Sequence, residues 1–218
     1  MPPLEESRYR LLVEGKDDKW SIINLMMKHG INWDSKDESL PYIHDHEGIE
    51  GKDRLLGSIE VSIKNYYRLG IILDADDRGS AYRWEQLTNI FNRINIELPD
   101  SPEKEGTIIS GILPDSLIGI WIMPDNSSPG KLENFLARLI PVGDLCWPYA
   151  DEATNHARDL GAPFSQNDQI KARIHTWLAW QKEPGRPYGI AITARYFEKD
   201  SQEALTFVSW FKRLFLED

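Results

Sequence analysis

The sequence is poor in cysteine, in positive charge and in long apolar runs. A single cysteine, Cys146, cannot close an internal disulfide, which fits a reducing compartment. No apolar stretch approaches the ~20 residues needed to span a bilayer. The opening MPPLEESRYR has neither the basic n-region nor the apolar h-region of a secretory signal. The expectation is a cytoplasmic chain with no membrane contact. Lysine and arginine number 25 against 35 aspartates and glutamates, a net charge of −10. That balance disfavours a broad electrostatic grip on nucleic acid, although metal ions or a local basic strip could still supply one. Repeats and low-complexity tracts are absent. So is the GxxxxGK(S/T) pattern of a P-loop ATPase. What remains is an ordinary globular composition, 41% apolar and 28% charged over 218 residues, with ample material for a core.

The most informative stretch is YRLGIILDADDRG, residues 67–79. Leu69, Ile71, Ile72 and Leu73 read as a strand covered on both faces, as in a parallel sheet. The strand runs directly into Asp74-Ala75-Asp76-Asp77. At about 3.3 Å rise per residue, Asp74 and Asp76 point the same way at roughly 6.6 Å spacing. Two carboxylates so placed repel unless a cation lies between them, and a divalent metal is the obvious one. A single acid here would read as the cap of the next helix; the pair favours a metal or phosphate site.

Around this stretch, residues 8–14, 40–44, 107–112 and 117–123 read as further strands. Residues 17–29, 52–66, 80–94 and 131–139 read as helices, the second carrying Leu55, Leu56, Ile59, Ile63 and Tyr66 at helical spacing. Strands alternating with helices predict an α/β fold, a Rossmann-like, mainly parallel sheet flanked by helices. Residues 1–140 form this core in the reading. Residues 141–218 form a mostly helical extension packed on it, with helices over 144–160, 168–181 and 203–216 and a strand over 188–196.

In an open parallel sheet, ligands bind at the carboxyl edge of the strands. Glu14 ends the first strand, Asp74 ends another and Asp125 comes after a third, so all three belong at that edge. Asp18 lies one helical turn beyond Glu14, and Glu133 in the first turn of its helix. Acids ending three separate strands are costly without a cation. Other readings of these residues exist. Asp74, Asp76, Gly79 and Glu85 match part of a calcium-loop pattern, but Arg78 stands at a ligand position. A haloacid-type phosphatase would place the DxD on the first strand and follow it with Thr or Val, where Arg78 stands; a sugar-nucleotide DxD fits the spacing but would leave Glu14 unexplained. His44 and His46 have zinc-ligand chemistry without a third ligand nearby, and His175, Trp177 and Trp180 read as structural. Lys171, Arg173, Arg186 and Arg195 read equally well as a phosphate-facing strip or as solvated surface.

LLVEGKDD, with IILDADD about sixty residues later, resembles the TOPRIM fold of topoisomerases, bacterial primases and OLD-family nucleases over residues 8–140. WIMPDNSSPGKLENFL is similar to a segment of bacterial TOPRIM-like families grouped with OLD-type nucleases. The resemblance implies Glu14 as metal ligand and general acid/base, and Asp74 and Asp76 as the metal-binding pair. Asp18, Asp125 and Glu133 take the places of further metal acids. Lys16, Lys131, Lys171 and Arg186 are the basic residues placed for substrate phosphates. The implied activity is an Mg2+- or Mn2+-dependent phosphodiesterase, a DNA or RNA nuclease using two ions. It would act with a separately encoded ABC-type ATPase, in phage defence, with room for a homo-oligomer. The alternative is a non-catalytic TOPRIM-like binding module in a protein–nucleic acid complex. Primase zinc-ribbon cysteines and a topoisomerase tyrosine domain have no counterpart here.

Overall fold

The computed structural model describes residues 7–33, 40–46 and 50–217. Strands β1 (Tyr9–Val13), β2 (Tyr42–Asp45), β3 (Arg68–Asp74), β4 (Thr107–Ser110) and β5 (Leu117–Met123) form one sheet in the order β2-β1-β3-β5-β4. β1 is parallel to β2 and β3, and β3 is parallel to β5. β4 alone runs antiparallel, against β5. Only residues 111–116 separate those two strands, too few for the crossover that a parallel pair requires. The chain is thus a mixed α/β protein with a mostly parallel, Rossmann-like sheet, flanked by helices and followed by a helical C-terminal part.

The central strand β3 is buried on both faces because its side chains alternate between two cores. Leu69, Ile71 and Leu73 pack with Leu55, Ile59 and Ile63 of α2 (Gly51–Asn65) and with Trp84, Leu87 and Phe91 of α3 (Gly79–Asn92). Ile72 faces the other core, with Leu11, Val13, Trp121 and Met123. That second core is closed by α1 (Lys16–Lys28), α4 (Leu132–Ala137), α6 (Gln169–Ala179), α7 (Tyr188–Thr193) and α8 (Gln202–Phe215). Helix α5 (Cys146–Asp159) contributes Ala150.

The C-terminal helices enter this core directly. Phe207 of α8 packs edge-on and Trp210 tilted against Trp121 of β5, with ring centroids 5.0 and 5.7 Å away. Full burial of such a side chain contributes roughly 1.5–3 kcal/mol. Gly70 and Gly119 are register partners in β3 and β5. A Cβ on Gly119 would collide with Leu214, and one on Gly70 with Leu11. The missing side chains let α8 lie against the sheet.

Residues 188–196, expected to be a strand, begin instead with helix α7. The alternation of Tyr188, Ile190 and Ile192 suggests a strand, but Ile190 is 46% exposed while Tyr188, Ala191 and Ile192 are buried. That is helical spacing. α7 packs on α1, where Gly189 lies so close that a Cβ would meet the Trp20 carbonyl oxygen at 2.8 Å. Among the described residues no helix is long and apolar enough to cross a membrane.

Candidate functional site

β1 ends at Val13, and the chain then turns away into α1. The backbone amide at the end of β3 therefore has no ladder partner in β1, and the side chain of Glu14 takes that place. The Asp74 amide donates to Glu14 Oε1 at 2.8 Å. The Asp74 carboxylate in turn accepts from the Leu132 amide in the first turn of α4, at 3.0 Å. Asp76 sits in the left-handed region, φ 53°, held by a two-way backbone pairing with Gly130 at 2.8 and 3.0 Å. The loop after β3 is thereby tied to the segment that leads into α4.

Asp18 and Glu133 complete an acid centre. Asp18 accepts from the Gly15 amide at 3.1 Å, closing the first turn of α1. Both carboxylates are almost fully buried, Asp18 at 8% and Glu133 at 5% exposure. Burial pushes the Asp18 carboxyl up to about 8, helped by the charges of Glu14 and Glu133. Asp74 is raised well above the usual carboxylate range by burial and then by Asp18, Glu14, Glu133 and Asp76. Glu14 is also raised, by burial first, against the opposing pull of Lys52. Carboxylates that raise one another in this way need either a proton or a cation.

Two cations at this centre have no sequence signature of their own. Lys52, in the first turn of α2, pairs with Asp76 Oδ2 and lies 3.6 Å from Glu14 Oε2. Arg83 of α3 is buried; it donates to Asp76 Oδ2 at 2.9 Å and to the Asp74 carbonyl at 3.0 Å. A charged residue on the apolar face that carries Trp84 and Leu87 was the available hint. The C-terminal helices add a further layer. Tyr188 donates to Glu133 Oε1 at 3.4 Å, and its hydroxyl lies 3.2 Å from His175 Nε2. Burial first, and then Glu133 and Asp17, hold the Tyr188 hydroxyl well above its ordinary value. Lys171 of α6 lies 3.5 Å from Glu133 Oε1 and 3.9 Å from Asp17 Oδ2. His175 is thus part of this layer through Tyr188.

Beside the acid centre opens a cleft of about 820 Å³. Its walls include Lys52, Arg83, Lys131, Asn134 and Arg173, and of the centre's acids it reaches Asp76. Lys131 lies 3.6 Å from Asp168. Arg173 stacks over Trp147 at 3.7 Å and pairs with Asp151 at 3.3 Å.

Other expected site residues lie elsewhere. Asp125, expected among the metal acids, is used in its own turn. It accepts from the Ser127 and Ser128 amides at 3.0 and 2.6 Å and from Arg138. Although burial acts upward, the Ser128 amide, Arg138 and the Ser128 hydroxyl hold its carboxyl well below the usual range. Arg186 pairs with Glu183 on the exposed surface. Lys16 opens α1 in an exposed position. His44 and His46 stack with ring centroids 4.3 Å apart, and His46 bonds the Val13 carbonyl through Nδ1 at 3.2 Å. Trp177 is core, whereas Trp180 stacks on Tyr149 at the surface.

Among the described residues no group of three or more His, Cys, Asp or Glu is arranged so that it could hold a metal ion as it stands. The centre's donors are nevertheless carboxylate oxygens, the hard ligands that suit Mg2+ or Mn2+. Their mutual repulsion supplies a reason to bind a cation.

No curated protein and no solved structure matches the chain. A family model described as a protein of unknown function (DUF3226) matches residues 8–216. That match runs from β1 through the acid centre to α8, and the chain belongs to the DUF3226 family.

Proposed function

We propose that the protein is an Mg2+- or Mn2+-dependent phosphodiesterase, a nuclease acting on DNA or RNA. The observation that carries this reading is the convergence of Glu14, Asp18, Asp74, Asp76 and Glu133, from three stretches of the chain, at one edge of a parallel sheet beside a cleft lined by both cations and acids. Asp74 and Asp76 would hold one ion, and Glu14 with Asp18 and Glu133 the other. Bound there, such ions supply an activated water and stabilise the leaving oxygen of an in-line displacement. By the TOPRIM resemblance Glu14 would also take and return a proton, through the Oε2 that faces Lys52, its Oε1 being engaged by the Asp74 amide. Lys131 and Arg173 line the cleft where a phosphate backbone would lie. Work with a separately encoded ABC-type ATPase, in phage defence, rests on the TOPRIM resemblance alone. The test is hydrolysis of plasmid DNA and of RNA in Mg2+ or Mn2+ by wild type and Asp74→Ala. A folded Asp74→Ala protein that cleaves as fast as wild type would sink the assignment.

A second reading has its own observation. Lys52 and Arg83 already neutralise Asp76 from within the protein, as suits a TOPRIM-like module that binds nucleic acid without hydrolysing it. Calorimetric titration with Mn2+ separates the two. Binding lost in the Asp74→Ala/Asp76→Ala double variant favours the enzyme; no binding, with nucleic-acid affinity intact in that variant, favours the module.

A further inference from the structure

The acid centre is balanced by two ammonium groups from opposite sides. Lys52, on α2, bridges Asp76 and Glu14, which come from the ends of β3 and β1. Lys171, on α6, bridges Glu133 and Asp17, which come from α4 and α1. Each lysine thus joins carboxylates from two different elements, and the two lysines share none of these partners. Arg83 is not equivalent to them. Its side chain is 5% exposed and committed to the Asp74 carbonyl and to Gln86 as well as to Asp76. Lys52 and Lys171 are 28% and 43% exposed along their side chains, and each carries a compact point charge on a flexible stem. They can leave; Arg83 cannot without stranding a buried charge.

We infer that Lys52 and Lys171 are built-in counter-cations of the centre's carboxylates, so that divalent ions bind by displacing them. This rests on the proposed metal-binding reading of the same carboxylates. A divalent ion brought to Asp74 and Asp76, or to Glu14, Asp18 and Glu133, repels an ammonium a few ångströms away and competes with it for a carboxylate oxygen. The released Lys52 ammonium stays at the wall of the 820 Å³ cleft. Its charge then faces the volume in which a substrate phosphate would lie, so metal loading also readies the cleft for an anion.

The experiment combines Mn2+ calorimetry on the full chain with lysine reactivity. Wild type, Lys52→Met and Lys171→Met are titrated with Mn2+, and wild type is treated with acetic anhydride with and without Mn2+, with the modified lysines located by mass spectrometry. The expected result is Mn2+ binding on the order of tenfold tighter in each methionine variant, the equivalent of one or two partly exposed ion pairs no longer broken. Mn2+ should also speed acetylation of Lys52 and Lys171 in wild type, a readout that needs no variant to fold. Binding seen only in the methionine variants supports the inference equally. Mn2+ binding to wild type with unchanged affinity in both variants and unchanged acetylation overturns it and leaves the metal site standing. No binding in any of the three chains overturns it together with the proposed function.

Discussion

Glu14, the residue after β1, and Asp74, the last residue of the neighbouring parallel strand β3, are joined by the Asp74 amide donating to Glu14 Oε1 at 2.8 Å. The glutamate side chain continues a ladder that its own backbone has left. One carboxylate therefore does structural work through one oxygen and leaves the other, Oε2, toward Lys52. The site and the sheet share this residue, so its substitutions separate the two roles.

Glu14→Gln keeps an oxygen acceptor for the Asp74 amide and removes the charge. It should fold with stability close to wild type and bind Mn2+ at least about tenfold more weakly, the effect of losing one charged ligand. Glu14→Ala leaves the amide without a partner and should cost about 1–3 kcal/mol in urea denaturation. Equal losses of stability in the two variants would show that the bond to Asp74 is not what Glu14 contributes.

Asp18 is buried among like charges, an arrangement that serves function at the expense of stability. Asp18→Asn retains an oxygen for the Gly15 amide. In EDTA it should be more stable than wild type, by on the order of 1 kcal/mol, and Mn2+ should raise its melting temperature less than that of wild type. A less stable variant in EDTA would mean that the carboxyl group is chiefly structural.

Asp125 gives a pH signature away from the acid centre. Its carboxyl is held below the unfolded value of about 3.9, so the folded state binds fewer protons. The stability it contributes is complete above about pH 4 and is lost as the pH falls through the folded value. The stability difference between wild type and Asp125→Asn should therefore be constant from neutral pH down to about pH 4 and shrink below it. Mn2+ affinity should be the same in both. A difference that grows on acidification would contradict the Arg138 pairing.

Much of the framework is readable in residue order. The β3 run Leu69–Leu73 is doubly buried because both of its faces are apolar, and its position ahead of Asp74 and Asp76 places those acids at the carboxyl edge. Glu14 follows β1 for the same reason, and Leu55, Ile59 and Ile63 mark α2 by spacing alone. These are local regularities: period 2 for strands, 3.6 for helices, and a fixed direction for parallel neighbours.

The rest depends on partners distant in the chain. Residues 188–192 alternate like a strand, yet they form helix α7, which buries Tyr188, Ala191 and Ile192 and seats Gly189 closely on α1. Asp125 has the same strand-end position as Asp74, yet Arg138 and the Ser127–Ser128 turn claim it. Lys52, Arg83 and Tyr188 belong to no motif, and they reach the centre because α2, α3 and α7 pack around the sheet. Local pattern determined which backbone segments are buried and where the strands end. Which charge meets which was decided by tertiary packing, because an ion pair depends on separation in space and local periodicity carries no record of that distance.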